Sequence, residues 1–230
     1  MICVIPAAGL GTRLRPLTDT TPKEMLPLGG RPVVDAVLDE VRAAGVERIV
    51  AVTRAGKEAL EAHLRAAGVE CVRQAAPLGL GDAIATAEPL VDGGPLCVAL
   101  PDCLYRTPAV LRSLLEAGPH AVAVEHVPPA LVSRFGIVAT DGERVTGVVE
   151  KPAPEDAPSD LAVAARYVLG PSVFDALREM RPADGGELGL AEALDLLARR
   201  ERLVAVELPA DVPRVDVGTL AAYEDALRAG

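Results

Sequence analysis

Through its first half the chain alternates short apolar runs with amphipathic stretches, and that alternation limits the fold more than any single residue does. Residues 2–7 (ICVIPA), 48–53 (RIVAVT), 69–73 (VECVR), 95–102 (PLCVALPD) and 120–127 (HAVAVEHV) read as strands. Between them, 31–45, 57–68, 81–90 and 107–118 read as helices. In the first of these, Val34, Val37, Leu38 and Val41 recur at helical spacing, and Gly45 marks the stop. In the last, Thr107 is expected as the N-cap and Pro108 at the first helical position. Strands separated by such helices indicate βαβ units and a parallel sheet. Ligands bind beyond the carboxyl ends of the strands in such a sheet. Three features then share one edge, because each follows a strand: a glycine loop after Pro6, Gln74 and Asp102.

The second half changes character. Residues 135–152 (FGIVATDGERVTGVVEKP) read as a hairpin turning at Asp141-Gly142, and 153–160 as a polar, Pro-rich loop. A strand at 161–170 precedes two helices around 172–180 and 188–200. Strands at 202–209 and 213–218 lead to a closing helix with Thr219 as its cap. No linker, internal repeat or low-complexity tract divides the chain, so one mixed α/β domain over residues 1–230 is expected.

Half of the residues are hydrophobic but only 2% are aromatic, so Val, Leu, Ile and Ala must build the core. A net charge of −10 argues against a nucleic-acid binder, whose footprint is a basic face. An anionic ligand would need positive charge concentrated locally. Cys3, Cys71, Cys97 and Cys103 form no C-x-x-C pair, which favours a reducing compartment. His63, His120 and His126 are scattered and suggest no metal site. No basic segment precedes a long apolar stretch, so neither a signal peptide nor a membrane span is expected, and the cytoplasm is the expected location.

The loop AAGLGTRLRP can be read in several ways. The dinucleotide fingerprint needs a third glycine where Leu14 stands, and its acidic residue after the second strand is missing, since Thr53 and Arg54 stand there. The phosphate loop G-x-x-x-x-G-K-[ST] is absent. A longer glycine loop carrying its own arginines remains: Gly9 and Gly11 let backbone N–H groups approach an anion, and Arg13 and Arg15 supply charge. An ordinary strand-to-helix turn with surface arginines is the alternative.

Only three of the 23 basic residues are lysines: Lys23, Lys57 and Lys151. Lys23 (TPKEMLP) and Lys151 (VVEKPAP) have prolines close by and are read as functional. Lys57, at a helix start, reads as a solvated surface residue. Asp102 ends a strand beside the glycine loop and is placed to hold Mg²⁺, which accepts one or two carboxylates plus substrate oxygens. Asp216 is a second lone carboxylate after an apolar strand. Each alone could cap a turn.

Taken together and in order, these segments resemble the sugar nucleotidyltransferases (NDP-sugar pyrophosphorylases). Within that family they look most like the bacterial UTP–glucose-1-phosphate uridylyltransferase branch. PAAGLGTRLRPLT with PKEMLP resembles the nucleotide loop, and QAAPLGLGDAI the base-binding segment. LPD resembles the metal-binding aspartate segment, and FGIV, VVEKP and ARYVL the sugar-binding strands. GGELGLAEAL and VDVGTLAAYEDAL resemble the family's late G-E-I-x-L-T-D helix and closing aspartate segment.

The resemblance implies a Rossmann-like three-layer α/β/α nucleotide-diphospho-sugar transferase fold with a mixed, mostly parallel central sheet. Its nucleotide-binding half would be 1–127 and its sugar-phosphate-binding half 128–230. Ala7, Ala8, Gly9, Gly11 and Thr12 would face the nucleotide, and Arg13 its β/γ-phosphates. Gln74 would bond the pyrimidine edge, with Gly79 letting the base lie close. Lys23 would neutralise phosphate charge in the transition state, and Asp102 and Asp216 would hold Mg²⁺. Gly136, Glu150 and Ala165 would line the sugar, and Lys151 would grip its phosphate. The implied substrates are an NTP and a sugar 1-phosphate, with no nucleic acid and no membrane.

Three departures accompany the resemblance. Ala165 replaces the family's glycine before R-Y-V-L, Ala191-Glu192 replaces a T-D pair so that only Glu187 carries over there, and a segment is missing, placed between the second and third strands. Family members often use such segments for assembly, so whether the chain forms a homo-oligomer stays open.

Overall fold

The computed structural model describes residues 1–182, 186–209, 212 and 214–229. The expected alternation becomes β1 (Ile2–Pro6), a small hairpin β2 (Pro27–Leu28) and β3 (Arg31–Pro32), α1 (Val33–Ala43), β4 (Arg48–Thr53), α2 (Glu58–Ala66) and β5 (Glu70–Arg73). Next come α3 (Leu80–Thr86), β6 (Leu96–Ala99), β7 (Cys103–Tyr105), α4 (Ala109–Ala117) and β8 (Ala121–His126). The second half contributes β9 (Gly136–Asp141), β10 (Arg144–Glu150), β11 (Leu161–Leu169), α5 (Ser172–Glu179), α6 (Ala191–Arg200), β12 (Val204–Glu207), β13 (Arg214–Asp216) and α7 (Leu220–Ala229). Pro213 and Gly230, at the ends of the expected last strand and helix, lie outside the described residues.

Nine strands form the central sheet in the order β5-β4-β1-β6-β11-β8-β12-β10-β9. β5, β4, β1 and β6 are mutually parallel, and β12 is parallel to β8. Only β10 and β11 run against the rest. The sheet is therefore mixed and mostly parallel in direction. Side chains alternate across each strand. In β1, Cys3 and Ile5 enter one core with α1, α2, α4 and α7, while Ile2 and Val4 enter the other with α3, α5 and α6. This is the three-layer α/β/α arrangement. It places the carboxyl ends of β1, β5 and β6, with the loops that leave them, on one edge.

Local differences from the sequence reading have physical causes. Helix α4 begins one residue later than expected: Thr107 Oγ1 accepts the Ala109 amide (3.2 Å), and Pro108 stands at the cap. Helix α3 stops at Thr86, and Pro89 sits in a separate single turn because it cannot continue the helical hydrogen bonds. The β9–β10 hairpin turns at Gly142 (φ +57°), as expected. The apolar run at 214–216 does not join the central sheet. It pairs antiparallel with β7, a strand too short to stand out after Asp102. No described helix is long and apolar enough to cross a membrane.

Candidate active site

The edge beyond β1, β5 and β6 opens into a cleft of about 780 Å³. Among its walls are Arg13, Gly79, Asp102, Gly136, Glu150, Lys151, Ala165 and Asp216, residues far apart in sequence. The topology gathers them. Asp102 follows β6, and the β7–β13 pairing sets Cys103 opposite Asp216. Val217 donates its amide to the Asp102 carbonyl (2.9 Å). The Gly218 amide donates to Asp216 Oδ1 (2.7 Å). A single point, where a side chain on Gly218 would begin, lies 3.1 Å from Asp216 Oδ1, 3.4 Å from Asp102 Oδ2 and 3.5 Å from an Arg13 guanidinium nitrogen. Two carboxylates and a guanidinium thus surround that spot, and a side chain there would crowd the Asp216 carboxylate.

Lys23 reaches the same cluster. It starts a single 3₁₀ turn (Lys23–Met25), and its Nζ donates to Asp102 Oδ2 at 2.6 Å. Burial by itself would pull the Lys23 pKa down; the negative charges of Asp102 and Glu24 outweigh it, and the pKa stands above the ordinary lysine value. Burial also pushes the Asp102 carboxyl up, but the charge and hydrogen bond of Lys23 overcome that and hold it below its ordinary value.

The glycine loop is built more firmly than its sequence suggests. Gly11 adopts φ +70°, and a β-carbon there would press on Thr18. The Lys23 Nζ lies about 4.0 Å from where a Gly9 side chain would start. Ala8 is buried, while Gly9, Thr12 and Arg13 are accessible. Ala7 departs from the expected role. Its amide donates to the Val52 carbonyl (2.7 Å) and its carbonyl accepts from Lys57 Nζ (2.6 Å), so neither backbone group is free for a nucleotide. Ala7 supports the loop from below. Arg15 turns away as well, pairing with Asp19 on the surface.

Lys57 corrects the sequence reading outright. It is 3% exposed, and its Nζ binds both oxygens of Glu24 (2.8 and 2.9 Å), a residue with no exposure. Burial lowers its pKa from the ordinary lysine value, with Glu24 opposing only in part. The pair ties the root of the glycine loop to the turn that carries Lys23. The scarcity of lysine in this chain was the available signal; a helix-start position misled because the chain folds over it.

A second buried pair lies under Asp102. Arg166, wholly buried, donates to Glu40 (2.6 and 3.0 Å) and to the carbonyls of Leu100, Ala165 and Cys103. Leu100 and Cys103 flank Asp102, so one guanidinium fixes the backbone on both sides of that carboxylate. Ala165 has φ +59° at an irregularity of the β11–β8 ladder, a conformation natural to glycine.

Across the cleft, a β-carbon on Gly136 would meet Glu150 Oε2 at 3.3 Å. Glu150 pairs with Lys151 (2.9 Å), whose side chain is 61% exposed and whose φ is +45°. Gln74 lies in the interior beside Gly79. Gly79 also meets a packing requirement of its own: φ is +96°, and a side chain would strike the Leu188 carbonyl at 2.5 Å. Glu187 and Tyr167 also line the cleft.

As a donor set, Asp102 and Asp216 suit a magnesium ion, which takes few protein carboxylates. No cluster of three or more His, Cys, Asp or Glu side chains fit to hold a metal occurs among the described residues.

Comparison with known proteins identifies the family. The nucleotidyl transferase family model matches residues 2–229. A UTP–glucose-1-phosphate uridylyltransferase of Streptococcus pyogenes is 35% identical, covering 94% of this chain and 83% of its own. Another from Bacillus subtilis, YngB, is 36% identical over 94% of this chain and 84% of its own. The S. pyogenes alignment runs over 255 positions, more than the 230 residues here, so gaps open in this chain against that relative. A crystal structure of a UDP-glucose pyrophosphorylase complexed with UDP-glucose superposes with a TM-score of 0.89, 34% identity and coverage of 99% of this chain and 97% of that one. On its loop, its cleft and these matches along nearly its whole length, the chain belongs to the nucleotidyl transferase family.

Proposed function

We propose that the protein joins UTP to glucose 1-phosphate, giving UDP-glucose and pyrophosphate. The observation that carries this reading is the convergence of Lys23, Asp102, Asp216 and Arg13 beside Gly218, facing Glu150 and Lys151 across one cleft. In the reaction a phosphate oxygen of the sugar phosphate forms a bond to the α-phosphorus. The bond from that phosphorus to the bridging oxygen of the departing pyrophosphate breaks. The nucleophile is already ionised, so no general base is needed.

The barrier is anion meeting anion. Two unit charges 4 Å apart repel by about 4 kcal/mol at an effective dielectric near 20. Arg13 takes the β/γ-phosphates, and Lys23 the charge that grows around the α-phosphorus. Lys151 grips the sugar phosphate, holding the two reactants in line. Asp102 and Asp216 would hold Mg²⁺, which would supply charge neutralisation at the phosphates. Glu150 binds sugar hydroxyls beside Gly136 and Ala165. The accessible backbone of the loop and Gln74 hold the nucleotide. The cytoplasm, where UTP is available, is the proposed location.

The test is pyrophosphate release with glucose 1-phosphate, Mg²⁺ and each of UTP, dTTP, CTP and GTP. Release with UTP foremost is expected; release with dTTP or GTP foremost replaces the base, and silence with all four rejects the reading for glucose 1-phosphate. Asp102→Asn, correctly folded, is expected to lose on the order of 10²-fold or more in turnover. Near-normal turnover in that variant would remove Asp102 from the metal site.

A further inference from the structure

Gln74 offers a base-reading amide, but its donor end is already occupied. Its Nε2 carries two hydrogens. One goes to Asp82 Oδ2 (2.8 Å) and the other to the Gly79 carbonyl (3.2 Å). Both partners are acceptors. The opposite orientation of the amide would set Oε1 against a carboxylate oxygen and a carbonyl oxygen with no proton between them, so the network admits only this one. Oε1 accepts no hydrogen bond from a described residue, and it is not among the fully buried, unsatisfied atoms. Asp82 is itself held. Arg181 binds its Oδ1 at 2.8 Å, which leaves Oδ2 to Gln74.

We infer that Asp82 is a specificity-determining residue: by locking the Gln74 amide it leaves only an acceptor for the base, which selects a pyrimidine with a ring N–H and rejects cytosine. The inference rests on the proposed reading that Gln74 meets the base. Uracil and thymine carry a proton on N3; cytosine presents a lone pair there. Against a fixed Oε1 the first two make a hydrogen bond and the third meets acceptor with acceptor, leaving both unpaired. A site built this way discriminates strongly against a ligand that lacks the donor. Asp82 need not touch the nucleotide, so it acts by positioning.

The experiment is calorimetric binding of UTP and of CTP, each with Mg²⁺, to the full chain and to Asp82→Asn. Asparagine keeps the shape but can turn its own NH₂ toward Gln74, which lets the amide reverse. The unsubstituted protein is expected to prefer UTP by about 10²-fold or more, as for sites that demand a donor. In Asp82→Asn that ratio is expected to fall about tenfold, chiefly through tighter CTP binding. A ratio near one in the unsubstituted protein, or a ratio within twofold of the original in a folded Asp82→Asn, overturns the inference. Gln74→Ala separates the two levels. If it leaves the ratio unmoved, Gln74 does not read the base; if it collapses the ratio while Asp82→Asn does not, only the role of Asp82 fails. Should Asp82→Asn not fold, Asp82→Ala, which leaves the Gly79 carbonyl as sole anchor, is judged by the same ratio.

Discussion

Removing the Lys57 ammonium would leave the Glu24 carboxylate sealed from water with no cation against it. Lys57→Met is therefore expected to cost about 3–5 kcal/mol, the usual penalty for orphaning a buried charge. Replacing both partners, as in Lys57→Met with Glu24→Leu, should return most of that stability, because two apolar side chains of similar volume need no partner. Urea unfolding of the two variants checks the pair; a double variant no more stable than the single would show that the charges contribute net stability. Both variants should still turn over slowly, since the tie between Ala7 and the Lys23 turn is gone. Ala165 stands on the opposite footing. An L-residue at φ +59° carries strain of about 1–2 kcal/mol, and glycine gives back about 0.4–1 kcal/mol through the unfolded chain. Ala165→Gly is thus expected to raise stability by about 0.5–1 kcal/mol, seen as a higher urea midpoint with an unchanged slope.

The strands and helices were legible because their signals are local. Val34, Val37, Leu38 and Val41 are all buried on α1, as their spacing requires, and alternate residues of β1 enter opposite cores. The edge that carries the cleft followed from topology alone, since Gln74 and Asp102 each come just after a strand. Illegible were the pairings that depend on residues meeting from afar. Nothing near Arg166 announces Glu40, 126 positions away, and nothing near Lys57 announces Glu24. Ala7 looked like part of the ligand face because the loop motif includes it, yet a long-range lysine occupies its carbonyl. Gly79 was readable as a special position, but its neighbour, the Leu188 backbone, lies more than a hundred residues on. Glu61 illustrates how elements are held through such contacts. From α2 it accepts Arg73 at the end of β5 (2.6 Å) and Thr53 at the end of β4 (2.7 Å). Those bonds, led by Arg73, hold its carboxyl down at about 2. An unfolded glutamate titrates near 4.3. The folded pKa is the lower one, so this stabilisation is complete above about pH 4.3 and fades as pH falls toward 2. Glu61→Gln is expected to cost on the order of 2–3 kcal/mol at pH 7 and clearly less at pH 3, measured by urea unfolding at both. An equal cost at both pH values would assign the loss to packing.

Despite an overall charge of −10, the chain brings two cations, Arg13 and Lys23, to the one edge where Asp102 stands. Its two larger cores lie on either side of the sheet and draw on both halves of the sequence: Val4 and Leu194 share one, Cys3 and Tyr223 the other. The β7–β13 pairing does the same for the cleft, joining Asp102 to a carboxylate 114 positions later in the chain. That pairing has a consequence in time as well as in space. During synthesis the glycine loop, Lys23 and Asp102 emerge from the ribosome long before Asp216. A nascent chain holds only one of the two carboxylates until residue 216 is out and β13 has found β7. On the proposed reading, in which the two carboxylates act as a pair, turnover begins only once nearly the entire chain is free, and the topology itself keeps an unfinished polypeptide from consuming nucleotide.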